Sequence, residues 1–407
     1  MSGSARGPGL FLVFTAVLGV AAALLLGAVA ITALASPAGL PLTALLLAVL
    51  GVLVGLGGAA LVAQRLSGGL RALTREVEAI RRLDLDHPPP AVGGAAEVHA
   101  LGDALGGTKG ALRLFSVYVP RDLVRKLMAE GAEAKLGGER RRLTVMFSDV
   151  QGFTTIAERM DPEELMHLTS TYFQALTDDL LEHHATIDKY IGDAVMAIWN
   201  APKRDLTHAM HGCHAALHAR HLTLRLEEDF AARGWPRLHT RFGLHSGEAV
   251  VGNVGSSDRM AYTAIGSMVN IASRLEGMNK MYGTQILVSE QTRIGAGNAF
   301  VFRPVDVVLA KGSQDPLEVH ELVGLAIAPD PKDAPLLADP ALVARLPAWR
   351  EAIRLFRAGQ FDRASEALRE AGDPVKDSLV AAYAARLARF PEGPPPGWSP
   401  VTRLDSK

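Results

Sequence analysis

Cysteine is nearly missing from this 407-residue chain. Cys213 stands alone, so no disulfide can form within the chain, and the soluble part suits a reducing compartment. Aromatic residues make up only 6%. Net charge is also lacking: 42 basic residues face 43 acidic ones, which excludes the broad positive field that gathers nucleic acid, so no nucleic-acid partner is expected. Charge is absent altogether from two stretches, 10–35 and 42–63. Each is at least as long as the roughly 20 residues a membrane-spanning helix needs. Between them, Ser36-Pro37-Ala38-Gly39-Leu40-Pro41 is a cluster of helix breakers too short to be a domain. A cleaved signal peptide is the competing reading of the first run. Its length and the second run directly after it argue against that. The loop carries no basic residue, whereas Arg6 precedes the first run and Arg65, Arg71 and Arg75 follow the second. The positive-inside rule then puts both ends in the cytoplasm. The expectation is a multi-pass protein of the cell (inner) membrane, two transmembrane helices embedded in membrane lipid, with its soluble part in the cytoplasm.

Below the second run, Leu66, Leu70, Leu73, Val77 and Ile80 recur at alternating steps of four and three. Asp86-His87-Pro88-Pro89-Pro90 breaks the pattern, which resumes at Val98, Leu101, Leu105, Thr108, Leu112 and Phe115. This is the spacing of helices that pack side by side. Two heptad helices joined by an extended linker directly below a membrane helix resemble a HAMP signal-relay module; a plain dimerising coil is the other reading. Either implies a parallel homodimer.

From Tyr118-Val119-Pro120 and a helix over Arg121–Glu130 the chain enters a mixed α/β segment. Strand-like runs are Arg142–Asp149, Ile187–Ile191, Ala194–Trp199, Leu238–Val251, Tyr262–Ile265, Gln285–Val288, Phe300–Val308 and Leu317–Val323. Helical stretches Pro162–His184, Asp205–Arg233 and Ser267–Tyr282 lie between them, which predicts one sheet covered on one side. After Pro329, Trp349, Ile353, Phe356, Phe361, Ala364 and Leu368 form a helix–turn–helix that turns at Gly359 and resembles a single tetratricopeptide unit. A further helix, Asp377–Phe390, and a proline-rich stretch follow. These C-terminal helices read as a docking appendage for a protein partner.

Three motifs carry chemistry. In Phe147-Ser148-Asp149-Val150-Gln151-Gly152-Phe153-Thr154 an apolar strand ends in a carboxylate, and a glycine turn opens a helix. That combination can hold a metal ion and the phosphates bound to it, though acidic residues also end strands for solubility. In Asp188-Lys189-Tyr190-Ile191-Gly192-Asp193 followed by Ala194-Val195-Met196-Ala197, two apolar runs flank a tight turn at Asp193. If the two strands are neighbours, Asp149 and Asp193 can share two divalent ions for an in-line phosphoryl displacement. In the third, Arg259-Met260-Ala261-Tyr262-Thr263-Ala264-Ile265-Gly266 precedes a helix on which Asn270 and Arg274, four apart, share a face. An amide and a guanidinium there can grip a sugar and a phosphorane, or cap and pair structurally. Lys311-Gly312 adds a cation between two strands.

Together these segments, over Arg141–Leu325, resemble the catalytic domain of class III adenylyl/guanylyl cyclases. The resemblance implies an α+β fold, a ferredoxin-like βαββαβ domain active only when two copies pair head to tail. It implies Asp149, Asp193 and the Val150 carbonyl as ligands of two divalent cations, Mg²⁺ or Mn²⁺. It gives Asn270 the ribose, Arg274 the charged transition state, Lys311 and Arg259 the triphosphate, and Lys189 with Thr263 the base. Relatives that make cyclic GMP carry Glu and Cys at the base-reading positions. A lysine donates to adenine N1 but cannot accept from guanine N1–H, so the residues point to ATP. Thr263 departs from the aspartate of many relatives, matches a threonine-bearing subgroup, and accepts from the N6 amine more weakly.

The expected organisation is a membrane anchor over 1–65, a HAMP-like linker over 66–118, a cyclase domain over 119–328 and a small α-helical tail over 329–407. The expected function is a membrane-anchored adenylate cyclase, with guanylate cyclase or a catalytically silent nucleotide-binding scaffold as alternatives. His208, His211, His214, His218 and His221, with Cys213 beside them, fall outside this scheme. Histidines at such spacing can ligate zinc or sense pH, and a solvated helix face is the plainer reading.

Overall fold

The computed structural model describes residues 10–34, 42–88, 90, 96–115, 137–256, 260–310, 315–328 and 330–404. The expected helix over Arg121–Glu130 lies outside the described residues. The chain divides into two compact units, Met1–Ala132 and Glu133–Lys407.

The first unit holds three helices, α1 (Leu10–Leu34), α2 (Leu42–Arg81) and α3 (Ala96–Phe115). α1 and α2 pack antiparallel through small residues. A Cβ added at Gly58 would stand 2.7 Å from Val17 Cγ1, and one at Gly51 would stand 3.1 Å from Leu24 Cβ. Glycine there lets the two backbones approach closely. Among the described residues, Val49–Arg81 is the one stretch long and apolar enough to cross a membrane; Ala16–Ile31 within α1 is apolar but shorter. The two spans expected from the sequence are thus one by this measure.

α2 runs on past its apolar half without a break. Its lower part packs against α3, with contacts that advance in the same direction along both. Leu73 meets Val98 and Leu105, and Ile80 with Leu83 and Leu85 meets Leu105 and Leu112. Buried between them, Lys109 pairs with Glu76 at 2.8 Å and donates to the His87 carbonyl, while His87 Nε2 bonds Glu76. The heptad positions Leu70, Val77 and Leu101 remain exposed.

The second unit runs β1 (Gly137–Val150), α4 (Phe153–Arg159), α5 (Pro162–Glu182), β2 (Thr186–Ile191), β3 (Ala194–Trp199), α6 (His208–Ala232), β4 (Thr240–Gly255), β5 (Met260–Ile265), α7 (Ser267–Tyr282), β6 (Ile286–Ser289), α8 (Glu290–Ala296), β7 (Phe300–Ala310) and β8 (Leu317–Leu325). Helices α9 (Pro340–Arg357), α10 (Phe361–Ala371) and α11 (Ser378–Ala388) and strand β9 (Val401–Leu404) complete it. The sheet order is β2-β3-β1-β4-β6-β8-β7-β9, with β5 on β4. Its first four strands are antiparallel neighbours, the arrangement of a ferredoxin-like βαββαβ unit, and β6 joins β4 in parallel, so the sheet is mixed. Local chemistry sets the ends: Asp161 accepts from Glu163 N–H to start α5, with Pro162 at the first turn.

The sheet is covered on both faces rather than one. Along β1, Met146 and Val150 face a core with Leu168, Tyr172, Leu176 and Leu180 of α5 and Cys213 and Leu217 of α6. Leu143 and Val145 face the opposite core with Met268 and Ala272 of α7. Both phases of β1 are apolar, the pattern of a strand buried on two sides. The C-terminal helices share a core with the sheet: Trp349, Ile353, Phe356 and Tyr383 pack with Leu275, Met278, Val305 and Val319. Trp349 Nε1 donates to the Pro304 carbonyl at 2.7 Å and Tyr383 Oη to the Val305 carbonyl at 2.6 Å. Asp306 collects Tyr282, Arg386 and Thr402, which ties α11 and β9 to β7.

Candidate active site

β1 and β3 pair antiparallel with Ser148 opposite Val195, so the carboxylates that end β1 and precede β3 fall side by side. Val150 N–H donates to Asp193 Oδ2 at 3.1 Å. Burial and the adjacent Asp193 charge push the Asp149 carboxyl above its usual range. Gly192 takes a left-handed conformation (φ 63°) in the turn that leads to Asp193, a region open to glycine at little cost.

Two further residues close this corner. Arg241 of β4 pairs through Nη2 with Asp149 Oδ2 at 3.0 Å and through Nε with Glu276 Oε1 of α7 at 3.2 Å. α7 comes this near because Gly243 has no side chain: a Cβ there would stand 2.1 Å from the Glu276 nitrogen. Burial, with Asp149 next, pushes Glu276 up to about 7. Arg241 Nη1 is buried without a hydrogen-bond partner among the described residues. Asp149 and Glu276 flank one guanidinium and Asp193 lies beside Asp149, so carboxyls outnumber cations here, and the donor set is all oxygen. The residues present therefore fit hard divalent cations.

A second cluster surrounds Thr263 on β5. Lys189 Nζ donates to Thr263 Oγ1 at 3.1 Å, and Thr263 Oγ1 donates to Asp188 Oδ2 at 2.6 Å. Asp188 has no exposed side chain and also pairs with Lys189 Nζ at 3.2 Å. The structure thus brings Lys189 and Thr263 together. Asn270 is exposed and Arg274 half-buried on α7, on the side turned from Met268, Ala272 and Leu275. Arg259 and Lys311 lie outside the described residues. Sequence reasoning passed over Asp188, Arg241 and Glu276. Asp188 carried a signal, being the acidic neighbour of Lys189; the other two acquire their meaning only when β4 and α7 meet.

The histidine stripe of α6 divides among different partners. His208 Nδ1 bonds Thr144 Oγ1 at 2.7 Å, and His211 Nδ1 bonds Asp205 at 2.8 Å. His214 and His218 meet Asp333. Cys213 is buried in the core, where burial pushes its thiol far up.

Residues 138–324 match the family model described as Adenylate and Guanylate cyclase catalytic domain, and this part of the chain is a catalytic domain of that kind. Over 276 residues the chain is 38% identical to "Adenylate cyclase 1" of Rhizobium meliloti, covering 68% of this chain and 42% of that protein. It is 30% identical to "Adenylate cyclase" of Anabaena cylindrica over 303 residues, 69% of this chain and 59% of the relative. The chain thus spans less than two thirds of either relative's length. A bacterial light-regulated adenylyl cyclase shares the fold at 22% identity and a TM-score of 0.50, over 56% of this chain and 65% of that one.

Proposed function

We propose that this protein is a membrane-anchored adenylate cyclase that converts ATP to 3′,5′-cyclic AMP and pyrophosphate at sites shared between two copies of the chain. The observation that carries the reading is the meeting of Asp149 and Asp193 beside the guanidinium of Arg241. Two divalent cations, Mg²⁺ or Mn²⁺, would be held by Asp149, Asp193 and the Val150 carbonyl; they would lower the proton affinity of the ribose 3′-oxygen and neutralise the departing pyrophosphate. Arg241, paired with Asp149 and Glu276, would hold these carboxylates in place around the ions. Lys311 and Arg259 are assigned to the triphosphate, Asn270 to the ribose and Arg274 to the charge that builds on the α-phosphorus.

The base assignment rests on hydrogen direction. Thr263 spends its proton on Asp188 and one lone pair on Lys189, so its oxygen can only accept from a further partner, through the lone pair that is left. That suits the N6 amine of adenine and opposes the O6 acceptor of guanine, while Lys189 donates to adenine N1. Anchoring is supported by the apolar side chains of α1 and α2 that stay exposed, among them Leu18, Leu26, Leu53 and Leu56. We assign both helices to the membrane as a multi-pass anchor, with the catalytic domain in the cytoplasm. Leu70, Val77 and Leu101 offer an apolar face to a second copy, as a HAMP-like linker between anchor and catalyst requires.

The test is turnover by the full-length protein in detergent or nanodiscs, with ATP and separately with GTP, in Mg²⁺ and in Mn²⁺. Cyclic AMP from ATP, lost in Asp193→Asn, is the expected result. Product from GTP alone would overturn the base assignment. No product from either nucleotide, in a folded dimer, would favour a silent scaffold.

A further inference from the structure

Away from Asp149 and Asp193, three imidazoles converge. His183 ends α5, and His214 and His218, four apart on α6, present their rings on one side of that helix. The His183 and His218 rings stack at 4.1 Å between centroids, with His214 at 5.2 Å and 4.6 Å from them. One nitrogen from each of the three lies within 4.8 Å of the others. Asp333, in the short helical segment Pro331–Leu336 that follows β8, closes the group: its carboxylate oxygens stand 3.2 Å from His214 Nε2 and 3.0 Å from His218 Nε2. Asp179 lies one turn before His183, and its Oδ2 is buried without a hydrogen-bond partner among the described residues.

We propose that His183, His214, His218 and Asp333 form a binding site for a zinc-class divalent cation, separate in chemistry from the oxygen ligands at Asp149 and Asp193. Three imidazole nitrogens and one carboxylate oxygen are the donor set that four-coordinate Zn²⁺ takes, whereas Mg²⁺ demands oxygen. His183 is already oriented for the task. Its Nδ1 donates to the Asp179 carbonyl at 2.7 Å, which fixes the tautomer and leaves Nε2 with a free lone pair. Nitrogens about 3.3 Å apart satisfy a tetrahedral ion with bonds of roughly 2.0–2.1 Å, so side-chain rotations of about 1 Å complete the cage. On binding, the Nε2 protons that His214 and His218 now share with Asp333 leave or move to Nδ1. None of the four side chains is fully buried, their exposures running from 10% to 28%, so an ion can enter. Such an ion would staple α5, α6 and the segment leading to α9 into one piece. Its ligand His183 stands five residues before Asp188 and six before Lys189.

The experiment uses tag-free full-length protein in detergent, stripped with a chelator and titrated with Co²⁺, whose four-coordinate complexes absorb visible light strongly. One intensely coloured Co²⁺ per chain, displaced by Zn²⁺ and retained in Asp193→Asn, is expected. The band should vanish in His214→Gln/His218→Gln and weaken about tenfold or more in affinity in Asp333→Asn, a near-isosteric change that tests the site even if the double variant misfolds. Near-ultraviolet circular dichroism reports folding of each variant. Failure of the unmodified protein to give the band would overturn the site, and so would a band that survives in the folded double variant. Neither outcome touches the cyclase reading, which rests on Asp149 and Asp193.

Discussion

At Thr263 a single hydroxyl stands between Lys189 and Asp188, accepting from one and donating to the other. Thr263→Val keeps the shape and removes both bonds. Losing one acceptor for the N6 amine is worth roughly 1–1.5 kcal/mol, so kcat/KM for ATP relative to GTP should fall about tenfold. Steady-state kinetics with both nucleotides measure it, and an unchanged ratio would remove Thr263 from base recognition. Asp149 and Asp193 were legible as carboxylates at the ends of apolar strands, but their adjacency hung on β1 pairing with β3, two strands that α4, α5 and β2 separate in sequence. Arg241 and Glu276 were not legible. Nothing near Arg241 in sequence marks it, and its two partners come from β1 and from α7.

Among the elements, α7 is gripped from two sides. Met268 and Ala272 press on the sheet, while Leu275, Met278 and Tyr282 press on the core shared with α9, α10 and α11. Trp349→Ala removes a buried ring and its bond to the Pro304 carbonyl. The cost should be about 3–5 kcal/mol, read as a large drop in melting temperature. Activity should fall with it, because Asn270 and Arg274 ride on the loosened helix; full turnover in a strongly destabilised variant would separate the tail from the catalytic helix. Strand β3 and helix α7 were readable from sequence to the residue, since their ends coincide with glycine turns at Gly192, Gly266 and Gly283. Strand β9 was not. Its four residues follow a proline-rich stretch, and only β7, far away in sequence, gives them a ladder. Coverage of the sheet by helices on both faces was likewise hidden. The apolar face of α9–α11 reads equally well as a surface awaiting a partner until the β7 and β8 residues beneath it are in place.

For the whole molecule, the proposed sharing of sites between two copies makes a sharp demand. Asp149→Ala lacks one half of the site and Arg274→Ala the other, so each should be inactive alone. Mixed in equal amounts and allowed to exchange, half the dimers would hold one intact site of two, giving up to about a quarter of the unmodified rate. Cyclic AMP formation by the mixture measures this. A mixture as inert as its parents would mean that each chain supplies a whole site.

The unbroken course of α2 has a mechanical consequence. Forty residues from Leu42 to Arg81 make a rod about 60 Å long, at roughly 1.5 Å per residue. A helix resists twisting far better than a loop does, so a rotation or axial push applied to its upper turns reaches Ile80 in register with Leu105 and Leu112. Gly68 and Gly69, like Gly51, Gly55, Gly57 and Gly58 above them, are soft points of this shaft, each weaker than alanine by about 1 kcal/mol. Torque rather than chemistry is thus the form in which any message entering through the apolar end would travel, and the glycines along α2 set how much of it is lost on the way.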